Sequence, residues 1–411
     1  MFKRVFFASG PGDIIATHNY WKRHQDNPSQ VSVTFSSQVE QFCADMGAAS
    51  YLISSHARRE KLQDGAFTLE HRPKRQRFGA AYHLEEVRYG LSLLLTALRF
   101  RAQLALVDSG TTHYFVLTLF RLCGIRVICL QHNSLWPAGF PPRKLIPRLV
   151  QSLDRLFWRW IPSAVIAVSP ECERQVSQLR GSRARYPIVQ MRAQFDPQYF
   201  AQIPPPPPHD ARPFRITYVG RIERNKGVFD VLEIARKIEN SDPGLVRWEV
   251  CGSGSQSDAL VQAHKHLDLE GVVTLRGWTS PQDLIGVHAR SHASIVPTRS
   301  SFIEGLAMTA AESVLAGRPV VTNPAVPALE VLRDACAEAK TDDVESHAAA
   351  VRLLATDRAF YERRRAACAE YQAQFYDSSF GLTAALKGAL DARIAAALKK
   401  QAARITVRSV R

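Results

Sequence analysis

The sequence predicts an α/β protein made of two Rossmann-like domains facing each other across a cleft. Three observations carry this: a length beyond one core, short β-rich runs alternating with longer helical patterns, and five consecutive prolines near the middle. At 411 residues the chain exceeds the size at which a single hydrophobic core stops growing. The run Pro204–Pro208 fits neither a helix interior nor a central strand and reads as a stiff, extended spacer. These features predict an N-terminal domain over 1–200, a linker over 201–213, a second domain over 214–385 and a basic helical tail over 386–411.

In the first half the expected strands are Val5–Ala8, Val31–Phe35, Ala105–Asp108, Val127–Leu130 and Ala164–Val168. In the second they are Arg215–Val219, Arg247–Cys251, Val272–Arg276, Ala293–Val296 and Pro319–Thr322. Each runs into polar or glycine-bearing turn residues. Open parallel sheets bind ligands beyond the carboxyl ends of their strands, so those turns are where chemistry is to be sought.

Composition narrows the class. Hydrophobic residues at 46% and charged residues at 22% suit a soluble globular protein. The apolar run after Arg4 is too short for a signal peptide, and no stretch approaches the ~20 apolar residues of a membrane span. Seven cysteines without a C-x-x-C pair argue for reduced thiols in the cytoplasm and against a zinc site. The net charge of +15 is uneven: residues 1–200 hold 26 Lys/Arg against 14 Asp/Glu, whereas the stretch up to 386 is slightly acidic. A basic first half attracts polyanions, either nucleic acid or an anionic membrane surface.

The strand at Arg215–Val219 leads into Gly220-Arg221-Ile222-Glu223-Arg224-Asn225-Lys226-Gly227, with a helix expected from Val228. Cations and glycines between a strand and a helix start suit a pyrophosphate. The turn Gly252-Ser253-Gly254 lets a ligand approach the backbone, and it does not fit the dinucleotide fingerprint. In Pro297–Leu306, Glu304 is expected at the start of a helix over Ala307–Leu315, and Glu312 lies two turns on, roughly on the same face. A carboxylate can grip adjacent sugar hydroxyls. The residues alone fit equally well a capping carboxylate at Glu304 and a solvated helix-face glutamate at Glu312.

This ordered set, Gly220–Gly227, Gly252–Gly254 and Glu304–Glu312 with Gly317-Arg318-Pro319-Val320-Val321 behind it, resembles the retaining glycosyltransferases of family 4, fold type GT-B. The resemblance covers roughly residues 214–332. It implies that Arg221 and Lys226 hold a donor diphosphate and that Glu304 meets the transferred sugar. It further places Glu312 on the nucleotide ribose and the N–H groups of Gly305 and Leu306 on the phosphate, and matches Glu330 to the family's later Glu-hydrophobic pair. It also implies a C-terminal helix that crosses back to the first domain, and transfer with retention and without a metal or other cofactor, the nucleotide-diphosphate sugar being the substrate. Two departures put the nucleotide-base pocket in question. His292 stands where the family usually has Asp, and Ala335–Ala339 lacks the expected glycine-hydrophobic strand.

In the first half, His132 ends the Val127–Leu130 strand, and the resemblance implies that it meets the donor sugar. Gly10, Gly12 and Asp13, after the first strand, match the family's acceptor-side loop in part. Asp108 and Ser109 also end a strand, with nothing further to support them. Arg143–Trp160 interleaves basic and bulky apolar residues, with Trp158 and Trp160 at its end, and the tail repeats the theme. Peripheral docking on an anionic membrane and a glycan or lipid-linked acceptor are therefore expected. The rivals are a nucleotide-sugar epimerase of the same architecture, whose own cleft acids are not found here, and a basic nucleic-acid-binding protein, for which no module is found. No nucleic-acid partner is expected.

Overall fold

A computed structural model describes residues 2–182 and 184–391. The chain divides into two compact units, one made of the chain up to Leu135, Pro142–Gln194 and the chain from Asp377, the other of Trp136–Pro141 and Phe195–Tyr376.

The first unit holds eight strands: β1 (Arg4–Ser9), β2 (Ala49–Ser54), β3 (Glu60–Asp64), β4 (Phe67–His71), β5 (Leu104–Asp108), β6 (Arg126–Gln131), β7 (Ala164–Ala167) and β8 (Ile188–Gln190). Their spatial order is β3-β4-β2-β1-β5-β6-β7-β8. All pairings are parallel except β3 with β4, which form an antiparallel edge. The central strands are buried on both faces, which is why they read as unbroken apolar runs. The order reverses beside β1, so the carboxyl ends of β1, β5 and β6 gather the loops that carry Gly10–Asp13, Asp108 and His132.

One expected strand is absent. Val31–Phe35 runs instead into a helix, Phe35–Asp45, whose first turn is capped by the Thr34 hydroxyl accepting from the Ser37 N–H at 3.2 Å. β-Branched residues ahead of an N-cap mimic a strand in sequence, and the cap decides the outcome. The chain from Asp377 returns to this unit. In the helix Leu382–Leu390, the Leu382 N–H donates to the Gln38 side chain at 2.8 Å and Lys387 pairs with Asp45. The tail beyond Asp391 lies outside the described residues.

The second unit is a parallel six-stranded sheet of β9 (Phe214–Val219), β10 (Val246–Cys251), β11 (Val273–Gly277), β12 (Ala293–Val296), β13 (Val320–Thr322) and β14 (Cys336–Glu338), ordered β11-β10-β9-β12-β13-β14. The helix Val228–Ser241 lays Val228, Val231, Leu232, Ala235 and Ile238 on the sheet, the spacing of one helical face. Contrary to expectation, Ala335–Ala339 does contain a strand: β14 pairs with β13 from Cys336 to Glu338. Alanine and cysteine fill a buried edge position without a strand-like sequence.

The proline run packs on this second unit. Arg318, fully buried, donates to the Pro204 carbonyl at 2.8 Å and to the Ser291 carbonyl at 3.3 Å. His292 donates from Nε2 to the Pro208 carbonyl at 3.2 Å and accepts the Arg215 N–H at Nδ1, stacked on Phe214. Burial pulls His292 down to about 4, so it is a neutral core residue that ties β9 to the proline segment. The division between the units falls at Gln194 and Phe195, ahead of the prolines rather than within them.

Candidate active site

Three turns meet at the carboxyl ends of β9, β10 and β12, and glycine permits each approach. Gly252 has φ of +144° and its added Cβ would lie 1.8 Å from the Gly220 carbonyl oxygen. Gly227, at φ +73°, faces the Pro297 carbonyl in the same way. Backbone bonds seal the turns together: Gly220 N–H to Cys251 carbonyl, Ile222 to Ser253, and Arg299 to Asn225, each at 3.0 Å. The spacing of glycines in sequence is therefore the spacing of contacts between neighbouring turns.

On this frame the cations converge. The Lys226 ammonium lies 2.5 Å from Glu304 Oε2 and 4.0 Å from the centre of the Phe302 ring. The Arg221 guanidinium lies over the same ring at 5.4 Å, with Glu223 3.4 Å away. Thr298 donates to Glu304 Oε2 at 3.4 Å. Arg221 stays largely exposed while Glu304 is buried, so the cluster presents positive charge outward over an anchored carboxylate. Phe302 and Thr298 carry this geometry and were missed in the sequence; a phenylalanine in a polar loop gives no periodic signal.

Glu304 is not on a helix. The Met308–Leu315 helix starts four residues later, after Ala307 in the left-handed region at φ +73°. The two glutamates therefore do not share a helix face. Glu304 reaches Lys226 from the loop, and the strained Ala307 sets the loop apart from the helix. Glu312 sits within the helix, half-buried and without a hydrogen-bond partner for its carboxyl among the described residues, and desolvation pushes that carboxyl up to about 7. Glu330 is exposed on the short helix Ala328–Val331. A cavity of 410 Å³ beside the cationic turn is lined by residues such as Arg224, Asn225 and Arg299; Arg221, Lys226, Glu304 and Glu312 do not line it.

In the first unit, the structure joins two residues that the sequence left separate. His132 Nε2 lies 3.0 Å from Asp108 Oδ1, and Phe35 stacks on the imidazole with centroids 4.0 Å apart. A carboxylate only accepts, so Nε2 carries the proton and buried Nδ1, which has no hydrogen-bond partner among the described residues, is left as an acceptor. Asp13 caps the helix Ile14–Trp21 by accepting from the Ala16 N–H at 2.9 Å and lies 3.4 Å from His71 Nε2. Its carboxylate is thus engaged in holding the loop, while added Cβ atoms at Gly10 and Gly12 would meet open space.

Residues 200–375 match the family model for Glycosyl transferases group 1. The matched segment contains every donor-side residue named above and none of Gly10, Gly12, Asp13 or His132. Over 172 residues the chain is 30% identical to the glycogen synthase of Mycobacterium tuberculosis (strain CDC 1551 / Oshkosh), a match covering 40% of this chain and 39% of that protein. The chain thus matches about two fifths of the length of that curated relative. Among solved structures, the sucrose-phosphate synthase from Thermosynechococcus elongatus superposes with a TM-score of 0.70 at 15% identity, covering 96% of this chain and 100% of that one. Anabaena HepE in complex with UDP gives 0.61 at 15% identity, covering 91% and 96%. These likenesses show the fold, two parallel-sheet domains of the GT-B type.

Proposed function

We propose that the protein is a glycosyltransferase that moves a sugar from a nucleotide-diphosphate donor to a glycan or lipid-linked acceptor, with retention of anomeric configuration, at the inner face of the cell membrane in polysaccharide synthesis. The observation that carries the reading is the convergence of Arg221 and Lys226 on one ring beside Glu304. Two cations on a preorganised turn suit a leaving diphosphate, whose charge grows as the bond to the anomeric carbon breaks. The N–H groups of Gly305 and Leu306 add donors, and the reading asks for no metal ion. Glu304, anchored by Lys226 and Thr298, is assigned to hydroxyls of the transferred sugar. Glu312 is assigned to the ribose, whose hydroxyls would supply the partners its carboxylate lacks among the described residues. The acceptor oxygen attacks on the face the diphosphate leaves, and a phosphate oxygen takes the acceptor's proton. His132 is assigned to the sugar through its free Nδ1.

The family match over the second unit and a fold neighbour solved with UDP support this assignment. Its test is turnover with nucleotide-sugar donors. Lys226→Ala and Glu304→Ala are each expected to lower kcat by ~100-fold or more, as losses of electrostatic stabilisers do. Near-normal rates at saturating donor would overturn the assignment.

A further inference from the structure

We infer that one helical face of the first unit is a docking surface for an anionic lipid bilayer. The inference extends the lipid-linked acceptor reading, and its test measures partition rather than turnover, so each can fail alone.

The helix Leu145–Trp160 divides into three sectors. Phe157, Trp158 and Asp154 are buried, Asp154 accepting the Phe115 N–H at 2.9 Å. Trp158, read from the sequence as an interfacial aromatic, is a core residue packed on Tyr114 at 4.5 Å. Leu145, Leu149, Leu153, Leu156 and Trp160 are all exposed, Leu145 at 82% and Trp160 at 59%. At 3.6 residues per turn these five fall within a sector of about 80°. Lys144, Arg148, Arg155 and Arg159 fall within a neighbouring sector of about 60°, and Arg159 lies over the Trp160 ring at 5.2 Å.

The face continues beyond this helix. Helices Ala80–Arg99, Thr118–Leu122 and Leu145–Trp160 connect β4 to β5, β5 to β6 and β6 to β7, steps in one direction across a parallel sheet. Right-handed crossovers place all three on the same side. Leu91, Leu95 and Leu98 on the first and Leu122 on the second are exposed as well, Leu122 at 75%. Soluble monomers rarely leave so extended an apolar layer uncovered.

Charge selects the occupant. Residues 80–160 carry ten Lys or Arg, and their four acidic residues, Glu85, Glu86, Asp108 and Asp154, are all buried. The outer surface of this layer is thus apolar and cationic with no exposed carboxylate. A second copy would oppose like charge to like. Nucleic acid would match the cations but leave the leucine ridge in water. An anionic bilayer takes both, with leucines and Trp160 at the acyl boundary and the flanking cations at headgroups. Among the described residues no helix is long and apolar enough to cross a membrane, so the contact is interfacial.

The experiment is flotation of the full chain with vesicles of phosphatidylcholine alone or with one third phosphatidylglycerol. Wild-type protein is expected to float with the anionic vesicles, and the double variant Leu149→Glu, Leu153→Glu to stay behind. Both positions are exposed, so its circular dichroism and melting temperature are expected to match wild type. Arg148→Gln and Arg155→Gln are each expected to lower partition about fivefold, from the contribution of one cation near a charged surface. Equal flotation of wild type and the leucine variant overturns the proposal, as does failure of wild type to bind anionic vesicles at low salt. A wild-type dimer that the leucine substitutions split into monomers would likewise overturn it, assigning the face to self-association.

Discussion

Replacing Glu312 by glutamine removes a charge from a half-buried helix position that offers it no hydrogen-bond partner among the described residues. A carboxyl moved from 4.5 to about 7 by desolvation carries roughly 3 kcal/mol of cost in its ionised form. The sign follows from which state holds the proton. Below pH 4.5 the folded and unfolded chains are both protonated and the cost vanishes. As pH rises from 4.5 to 7 the unfolded chain ionises first, so stability falls, and above 7 the whole cost is felt. Glu312→Gln is therefore expected to stabilise the ligand-free protein at pH 8 by about 2–3 kcal/mol, roughly 5–10 °C in the melting of a unit of this size, and by far less at pH 5. Donor binding should move the other way. Ribose hydroxyls donating to a carboxylate make charge-assisted bonds, so the substitution should weaken donor affinity by about tenfold or more. Thermal melts across pH 5–8 and calorimetric titration with nucleotide-sugar measure both. A melting difference that does not grow with pH refutes the desolvation argument, and unchanged donor affinity refutes the ribose role.

Gly252→Ala forces a side chain into φ of +144° against the Gly220 carbonyl, and should cost roughly 2–4 kcal/mol in a denaturation measurement, with donor binding lost as the turns part. Gly12→Ala meets open space and should leave the melting temperature nearly unchanged, which makes it the control. Asp108→Asn lets the side chain donate to His132 Nε2 and moves the imidazole proton to Nδ1; kcat should fall by ~10-fold or more with little change in donor KM. If Asp108→Asn leaves kcat intact, the His132 assignment loses its basis.

The sequence by itself determined the alternation of strands and helices and nine of the fourteen strands among the described residues, and it singled out the donor-side residues proposed above. It could do so because buried parallel strands are continuous apolar runs, and because glycines and cations at their ends are local in sequence. Tertiary structure decided what depends on contacts between distant segments. Thr34 makes a helix of an apparent strand by capping the next turn. A neighbouring β13 turns Cys336–Glu338 into a strand that its composition does not announce. Glu304 lies in a loop because Ala307 adopts a left-handed backbone, which no side-chain pattern encodes. Asp108 and His132 become partners only because β5 and β6 are adjacent. The proline run packs on the second unit, where the buried Arg318 donates to the carbonyls of Ala316, Pro204 and Ser291. The same holds for the cationic helix near Trp160: its sequence carries three interleaved patterns, and only the fold tells which of them is the core.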